Sequence, residues 1–569
     1  MKIRSLKIRN FRGIKELDWC LPNESIFCLI GKGDSSKSTI VDSIHFAFYP
    51  QWNLSLNDTD FYNCSVDEPI VIEVCLGELS DAFRSLDKFG KYFQGWDHVK
   101  KAATDEPGDG LEDILTVRLS IAKDLEPKWI VVCPSKPEGV EFRTADRIKV
   151  SVGVIGTFSD RQLSWGSGTA LAKMTEDQNL NESLAHASRS ARRSLDENRA
   201  DTLKNFDDAA LKSQAAAQTL GVPVHSAYKA NLDLNALNIR LGGLTLHDGD
   251  IPLRQLGLGS RRMLLCGIQT QGLADGHITI FDEIEFGLEP HRIARLIKHI
   301  KADEKGQFFM TTHSPVVIRE LTVKDLYIVH KIDGKVKVLT ASEESLTEHE
   351  VQAKLRAHAD AFLSKKVLVC EGKTEVGFMR GFDDYQMAKG KDPFSYHGIV
   401  LVDAGGAKNI VRISKAFHSM FYPVAVLADG DSPKNFSPDD EAALKDLGID
   451  VQSWSDFLSL EERAMVDLPW EYVLTSVKLA HESFAMAVQA NVSSAHNGAI
   501  SADYMTWVES GAMRKAIGLA AKNSDWFKDI TKGEAWFRQM SPVFENAEFQ
   551  KTDLAIKMNA LWTWAEKNG

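Results

Sequence analysis

The chain has 569 residues, 44% of them hydrophobic and 26% charged, with a formal net charge of -12. At roughly 150 residues per domain, that length predicts about three or four domains, and the absence of any run of about 18 apolar residues predicts no membrane-spanning helix. The acidic balance excludes a protein that coats nucleic acid through overall basic charge, so any such contact must use local basic patches or metal ions. The seven cysteines, at 20, 28, 64, 75, 133, 266 and 370, form no C-x-x-C pair and are odd in number, which argues against a disulfide framework or a zinc site.

The N-terminus alternates basic and apolar residues from Lys2 to Ile8. That is the period of a strand, not the continuous apolar segment of a signal peptide, and a cytoplasmic location is the default expectation. Asn10-Phe11-Arg12-Gly13 reads as a turn, Ser25 to Ile30 as an apolar strand, Gly31 to Ser36 as a small-residue loop, and Ser38 onward as a helix. Between residues 68 and 155, runs such as Ile70-Val71-Ile72-Glu73-Val74, Leu115-Thr116-Val117-Arg118-Leu119 and Trp129-Ile130-Val131-Val132 predict an antiparallel sheet. From Leu163 to Ala217 the chain is polar and alanine-rich, a helical composition. It reads as a helical arm inserted at about 160–235.

Strand character returns at Leu237-Asn238-Ile239-Arg240-Leu241. The pattern then predicts a helix (Arg261 to Gln269), a strand (His277 to Phe281), a helix (Pro290 to Ile300), a strand (Gln307 to Thr311) and a hairpin turning at Asp333-Gly334. Ser342 to Ala361 reads as a charged helical linker, and a second α/β unit starts at Lys366-Val367-Leu368-Val369-Cys370. Beyond Pro469 the chain reads as mostly helical, with Trp507, Trp526, Trp536, Trp562 and Trp564 as packing anchors. The expected domains are 1–345, 362–470 and 471–569.

Two constellations carry chemistry. The first begins with Gly31-Lys32-Gly33-Asp34-Ser35-Ser36-Lys37-Ser38-Thr39, which fits G-x-x-x-x-G-K-S except that Ser36 stands at the last glycine. Following an apolar strand and opening a helix, such a loop turns backbone N–H groups toward phosphates. Lys37 then reaches the β- and γ-phosphates and the Ser38 hydroxyl binds Mg²⁺. Ile278 to Phe281 is a strand ending in Asp282-Glu283, with Asp282 holding Mg²⁺ through water and Glu283 polarising the attacking water. The following Glu285 and Gly287-Leu288-Glu289-Pro290-His291 resemble the D-loop of ABC ATPases. In that family His313, just past the next strand, is the switch histidine that contacts the γ-phosphate. Leu256-Gly257-Leu258-Gly259-Ser260-Arg261-Arg262 lies where the family's signature belongs. It is a degenerate match whose Gly259 and Ser260 amides would face a phosphate on the opposite subunit. The resemblance therefore implies a homodimer or higher homo-oligomer, and Asn10-Phe11-Arg12-Gly13 resembles the RecF/SMC branch.

The second constellation is acidic. Glu371-Gly372-Lys373-Thr374-Glu375 follows one apolar strand. Asp403-Ala404-Gly405-Gly406-Ala407-Lys408 follows another, and Asp429-Gly430-Asp431 ends a third. In an open parallel sheet, functional groups gather at the carboxyl ends of the strands. Clustered carboxylates repel one another unless a cation lies between them, and all-oxygen ligands suit Mg²⁺ or Mn²⁺. Two such ions about 4 Å apart bracket a scissile phosphate.

This pattern resembles the Toprim domain of topoisomerases, primases and nucleases. An N-terminal ATPase with Thr311-Thr312-His313-Ser314-Pro315, followed by Toprim, is similar to the OLD (overcoming lysogenization defect) family, including Gabija-type and retron-associated OLD nucleases. The resemblance implies a mixed α/β chain: an ABC-type ATPase with an inserted helical arm, a Toprim domain, and a helical C-terminal region completing the Toprim site. It implies ATP and Mg²⁺ or Mn²⁺ as cofactors and DNA as substrate. It also implies an anti-phage role beside a co-encoded helicase, reverse transcriptase or noncoding RNA. Glu371, Glu375, Asp429, Asp431 and Glu461 are the expected metal ligands. Lys532 is the expected supporting lysine, with Lys528 nearby, and Ser459 stands where the family often has an acid. The alternative is a RecF/SMC-like repair ATPase whose Toprim domain is a binding module.

Overall fold

The computed structural model describes residues 1–84, 86–156, 163–165, 169, 171, 186–187, 189–190, 193–194, 204–219, 225–228, 245–271, 276–340, 356–484, 486–496 and 500–567. Most of the arm expected at about 160–235, the strand expected at 237–241 and most of the linker from 342 lie outside the described residues. The described residues form two compact units. One comprises Met1–Leu29, Ser36–Val317 and Lys331–Lys337; the other comprises Ile30–Ser35, Ile318–His330 and Val338–Gly569.

The first unit opens with β1 (Lys2–Phe11), β2 (Ile14–Cys20), β3 (Ile26–Ile30) and α1 (Lys37–Ala47). There follow β4 (Ile70–Gly77), β5 (Gln94–Asp97), β6 (Ala102–Thr104), β7 (Glu112–Ile121), β8 (Pro127–Cys133), β9 (Lys136–Glu141) and β10 (Val152–Ile155). Next come α2 (Lys204–Thr219), α3 (Leu258–Gln271), β11 (His277–Phe281), α4 (Pro290–Lys301) and β12 (Gly306–Thr311). Strands β10, β11, β12 and β3 pair in that order, all parallel. Every residue of β3, β11 and β12 is buried, as continuous apolar runs covered on both faces require. The antiparallel part runs β2-β1-β4-β7-β8-β9, with the hairpin of β5 and β6 on β7.

One buried side chain ties the two parts together. Gln307 on β12 accepts the Ile3 N–H at 2.7 Å and donates to the Ile3 carbonyl at 3.1 Å. Helix α4 shows why the chain folds locally as its pattern predicts. Pro290 opens it, where a missing N–H costs nothing, and Ile293, Leu296, Ile297 and Ile300 bury one stripe.

Strands β13 (Leu326–Ile332) and β14 (Lys335–Thr340) follow and flank Asp333 and Gly334, both at positive φ. The next elements are β15 (Lys366–Cys370), α5 (Lys373–Ala388), β16 (Ile399–Asp403), α6 (Ile410–Ser419), β17 (Val424–Ala428), α7 (Pro438–Asp446) and β18 (Asp450–Ser453). The strands form a parallel sheet in the order β16-β15-β17-β18. Among the described residues six α-helices follow: α8 (Leu460–Asp467), α9 (Trp470–Phe484), α10 (Met486–His496), α11 (Gly511–Asn523), α12 (Ile530–Met540) and α13 (Asp553–Glu566).

The C-terminal helices share one hydrophobic core with the sheet. Phe378 packs edge-on against Phe537 with ring centroids 4.9 Å apart, and Phe382 against Trp562 at 5.7 Å. Helices α5 and α12 approach at glycines. A Cβ on Gly377 would lie 2.2 Å from the Ile530 carbonyl, and one on Gly533 2.7 Å from that of Thr374. Among the described residues no helix is long and apolar enough to cross a membrane.

Candidate functional site

The phosphate-loop motif runs from β3 into α1. Gly31 lies at φ 132°, Asp34 at 59° and Ser36, the residue capping α1, at 74°. Ser36 thus holds the left-handed conformation that glycine adopts freely and an L-residue resists. Gly33 is exposed, Lys37 is buried, and Thr39 is half-buried on the first turn of α1. The N-terminal turn sits against this corner: a Cβ on Gly13 would lie 2.7 Å from Ser36 Oγ. Arg12 donates to Asp42 on α1 at 2.5 Å and to Asp60 at 2.8 Å. Burial works to lower its pKa, but the two carboxylates outweigh burial and raise it.

Asp282, just past β11, meets this helix. Its Oδ1 accepts from Ser38 Oγ at 2.9 Å and from Thr311 Oγ1 at 2.7 Å. Glu283 is exposed at φ 48°, and its N–H donates to Thr311 Oγ1 at 2.8 Å. His313 is exposed, and its N–H donates to Glu285 Oε1 at 2.7 Å, while Thr312 Oγ1 donates to Glu285 Oε2 at 2.7 Å. Glu285 therefore fixes the loop that carries His313. Gly259 is buried where a Cβ would lie 2.3 Å from the Gly287 carbonyl, and the Ser260 hydroxyl accepts from Arg292 at 3.1 Å. Arg262, 1% exposed, donates to the carbonyls of Asp282 (2.7 Å), Phe286 (3.0 Å) and Ile155 (3.2 Å). This buried guanidinium locks α3 to the carbonyls of Asp282 and Phe286, on either side of Glu283, and to the end of β10. Its sequence neighbourhood suggested only a signature motif, so its clamp role was missed.

The carboxylates meet at the carboxyl ends of β15 and β17. Ligand oxygens of Glu371, Asp429 and Asp431 all lie within 4.8 Å of one another, the one such group of three among the described residues. The Asp429 N–H donates to Glu371 Oε2 at 3.0 Å, and the Leu460 N–H donates to Asp429 Oδ1 at 2.9 Å. Glu375, buried in the first turn of α5, accepts the Gly372 N–H at 2.8 Å. Glu461 is buried in the first turn of α8. Burial, opposed by the Asp429 N–H and reinforced by Asp431 and Glu461, pushes Glu371 up to about 7. Burial and the repulsion of Glu461 and Glu371 push Glu375 up to about 8. Burial and the same neighbours raise Asp429 well above the carboxylate range. These side chains are crowded at an energetic cost that a hard divalent cation removes, so the donor set fits Mg²⁺ or Mn²⁺.

The lysines and Ser459 take the following positions. Lys532 Nζ lies 3.9 Å from Asp529 and 4.7 Å from the centre of the Phe484 ring. Lys522 pairs with Asp431 and lies 3.3 Å from Glu462, and Lys528 pairs with Asp525 while feeling the charges of Glu461 and Glu375. Burial works to lower the pKa of Lys522, and Asp431 and Glu462 outweigh burial and raise it. The placement of Lys522 depends on a close helix approach, since a Cβ on Gly518 would lie 2.9 Å from Glu462 Cα. Ser459 is fully buried and caps α8: its hydroxyl accepts the Glu462 N–H at 3.3 Å, and Glu462 accepts the Ser459 N–H at 3.1 Å.

Residues 169–319 match the family model described as "AAA domain, putative AbiEii toxin, Type IV TA system". Residues 362–431 match "Overcoming lysogenization defect protein-like, TOPRIM domain". No curated protein matches the chain. Among solved structures, an Smc head bound to the C-terminal winged-helix domain of ScpA is 13% identical, with a TM-score of 0.32 over 60% of this chain and 99% of that one. A Pyrococcus furiosus Smc head with an extended coiled coil, bound to the C-terminal domain of ScpA, is 13% identical, with a TM-score of 0.32 over 62% and 98%. An SMC head from Thermotoga maritima is 14% identical, with a TM-score of 0.28 over 60% and 100%. An ATPase domain, which implies use of ATP, precedes an OLD-like Toprim domain with an acidic triad, and the chain thereby matches the ATPase-plus-Toprim architecture of the OLD family.

Proposed function

We propose that the chain is a divalent-metal-dependent DNA endonuclease whose ATPase domain regulates cutting, and that it serves as an anti-phage effector. The observation that carries this reading is the gathering of Glu371, Asp429 and Asp431 within 4.8 Å, backed by buried Glu375 and Glu461. A bound Mg²⁺ or Mn²⁺ would neutralise the phosphodiester and make a nucleophile from water at neutral pH. The protein's own groups set the stage. Glu371, Asp429 and Asp431 hold the cation, with Glu375 and Glu461 behind them. The Asp429 N–H fixes the Glu371 carboxylate and the Leu460 N–H fixes that of Asp429. Lys522, paired with Asp431, supplies the positive charge assigned in sequence to Lys532, and draws a phosphate to the same acids.

At the other site, Gly31, Gly33, Ser36, Lys37 and Thr39 cradle the triphosphate. Ser38 and Asp282, already hydrogen-bonded, hold its Mg²⁺, while Glu283 and His313 serve hydrolysis. Gly259 and Ser260 face a second copy's nucleotide, which makes the working form a homodimer or higher homo-oligomer.

The test is plasmid nicking by the purified full chain in Mg²⁺ or Mn²⁺. Wild type is expected to nick, and the Asp429→Ala, Asp431→Ala double variant is expected to lose nicking while keeping its ATP turnover and melting transition. Nicking that persists in the double variant overturns the reading.

A further inference from the structure

Beside the carboxylate cluster, one exposed aromatic is held in a backbone conformation that its residue type resists. Residues 454–458 join β18 to α8 and pack on the backbone between the two aspartates. The Gly430 N–H donates to the Leu458 carbonyl at 2.9 Å. A Cβ on Gly430 would lie 2.3 Å from the Trp454 carbonyl and 3.4 Å from Phe457 Cα. Around Phe457 the turn is tied down. Trp454 is buried, Ser455 donates through its N–H (3.0 Å) and Oγ (2.9 Å) to Asp553, and Asp456 accepts from Arg463 at 3.3 Å. Phe457 itself is 65% exposed.

Asp456 and Phe457 are consecutive left-handed residues, at φ 63° and 57°. Aspartate tolerates that region, but for a bulky side chain it is an outlier that only over-determined surroundings maintain. Here the surroundings spend strain to leave exposed a ring whose residue precedes Leu458, the residue that accepts the N–H of Gly430 between Asp429 and Asp431. Burial does not explain the ring's position, since it is exposed. An aromatic face beside a phosphate site is the platform that a nucleobase stacks on, whichever base it is.

We propose that Phe457 is a base-stacking residue. It takes an unpaired DNA base flanking the phosphodiester held at Glu371, Asp429 and Asp431, and so fixes which bond lies over the carboxylates. The proposal rests on the nuclease reading above and adds a substrate class. A base inside an intact duplex is already stacked on its neighbours and must be extruded first. Single-stranded, frayed or mismatched DNA is therefore the preferred substrate.

The test uses the full chain with Ca²⁺ in place of Mg²⁺ and a single-stranded oligonucleotide carrying 2-aminopurine. Phe457→Gly removes the ring and relieves the strained φ together, so its two effects have opposite signs. Its melting temperature is expected to rise, while its Kd for the oligonucleotide weakens roughly tenfold or more. In Mg²⁺ its KM for cleavage of the single-stranded oligonucleotide rises by a similar factor with kcat changed less, and Phe457→Trp restores both the affinity and the 2-aminopurine quenching. Affinity for an intact duplex is expected to change little. Phe457→Gly binding the single strand as tightly as wild type overturns the proposal and leaves the nuclease reading standing. A changed oligomeric state of that variant without DNA assigns the ring to a protein interface and also overturns it. Wild type that neither binds nor cuts DNA sinks both readings.

Discussion

Ser36 stands where the phosphate-loop pattern has glycine, and it holds φ 74°. An L-residue there costs about 1–2 kcal/mol relative to an unstrained position, and glycine removes most of that while adding some unfolded-state entropy. Ser36→Gly is expected to stabilise the chain by about 0.5–1 kcal/mol and to tighten ATP binding. Thermal melting with and without ATP measures both, and a lower melting temperature contradicts the assignment. The acidic cluster makes a second residue-level prediction. Burial and mutual repulsion hold Glu371 at about 7 and Glu375 at about 8, against about 4.3 for an unfolded glutamate. With folded values raised, the favourable contribution is complete below about pH 4 and is lost as pH climbs through the folded values. Metal-free protein should therefore lose stability from about pH 5 to about pH 8, and saturating Mn²⁺ should restore it. Melting curves in EDTA and in Mn²⁺ check this. Glu375→Gln, which is neutral throughout, should flatten the EDTA curve, and an unchanged slope contradicts the account.

Helices α8 and α11 meet at a close approach that glycine permits. Gly518 lets α11 lie against Glu462 and so delivers Lys522, one turn on, to Asp431. Gly518→Leu should drive α11 away, lower stability by about 1–3 kcal/mol and abolish nicking while ATP turnover persists. Retained nicking at a temperature where the variant is folded contradicts the role given to Lys522. This element also marks where sequence reading ran out. Strands β11, β15 and β17 are legible because each is a buried apolar run ending in an acid, and α4 because its stripe has a helical period. Lys522 carries no such local signal. Nothing within a few residues of it distinguishes it from Lys528 or Lys532, because its partner Asp431 lies on another element and the packing at Gly518 brings them together. Arg262 was hidden for the same reason: its partners are backbone carbonyls of Asp282, Phe286 and Ile155, which no side-chain pattern records. Ser459 was legible as a departure from the family's acid, and its burial as a helix cap explains why the position is occupied by a hydroxyl.

At the scale of the whole chain, the two constellations were readable because order constrains them. The Gly31–Thr39 loop, Asp282-Glu283 and His313 follow one another along the chain, as do Glu371, Asp429 and Asp431. Their separation predicts separable chemistry. Lys37→Ala should abolish ATP turnover yet leave Mn²⁺ binding at the carboxylates intact, and a variant that loses both contradicts the division of labour. The central claim is that acids from separate strand ends are crowded together to hold a divalent cation. Calorimetric titration of Mn²⁺ into the purified chain, in two buffers of different ionisation enthalpy, tests it most directly. Wild type is expected to bind with release of protons, because the cation displaces those held by the raised carboxyls, and the Asp429→Asn, Asp431→Asn double variant should lose that binding. Equal Mn²⁺ affinity in wild type and double variant, or binding without proton release, contradicts the account.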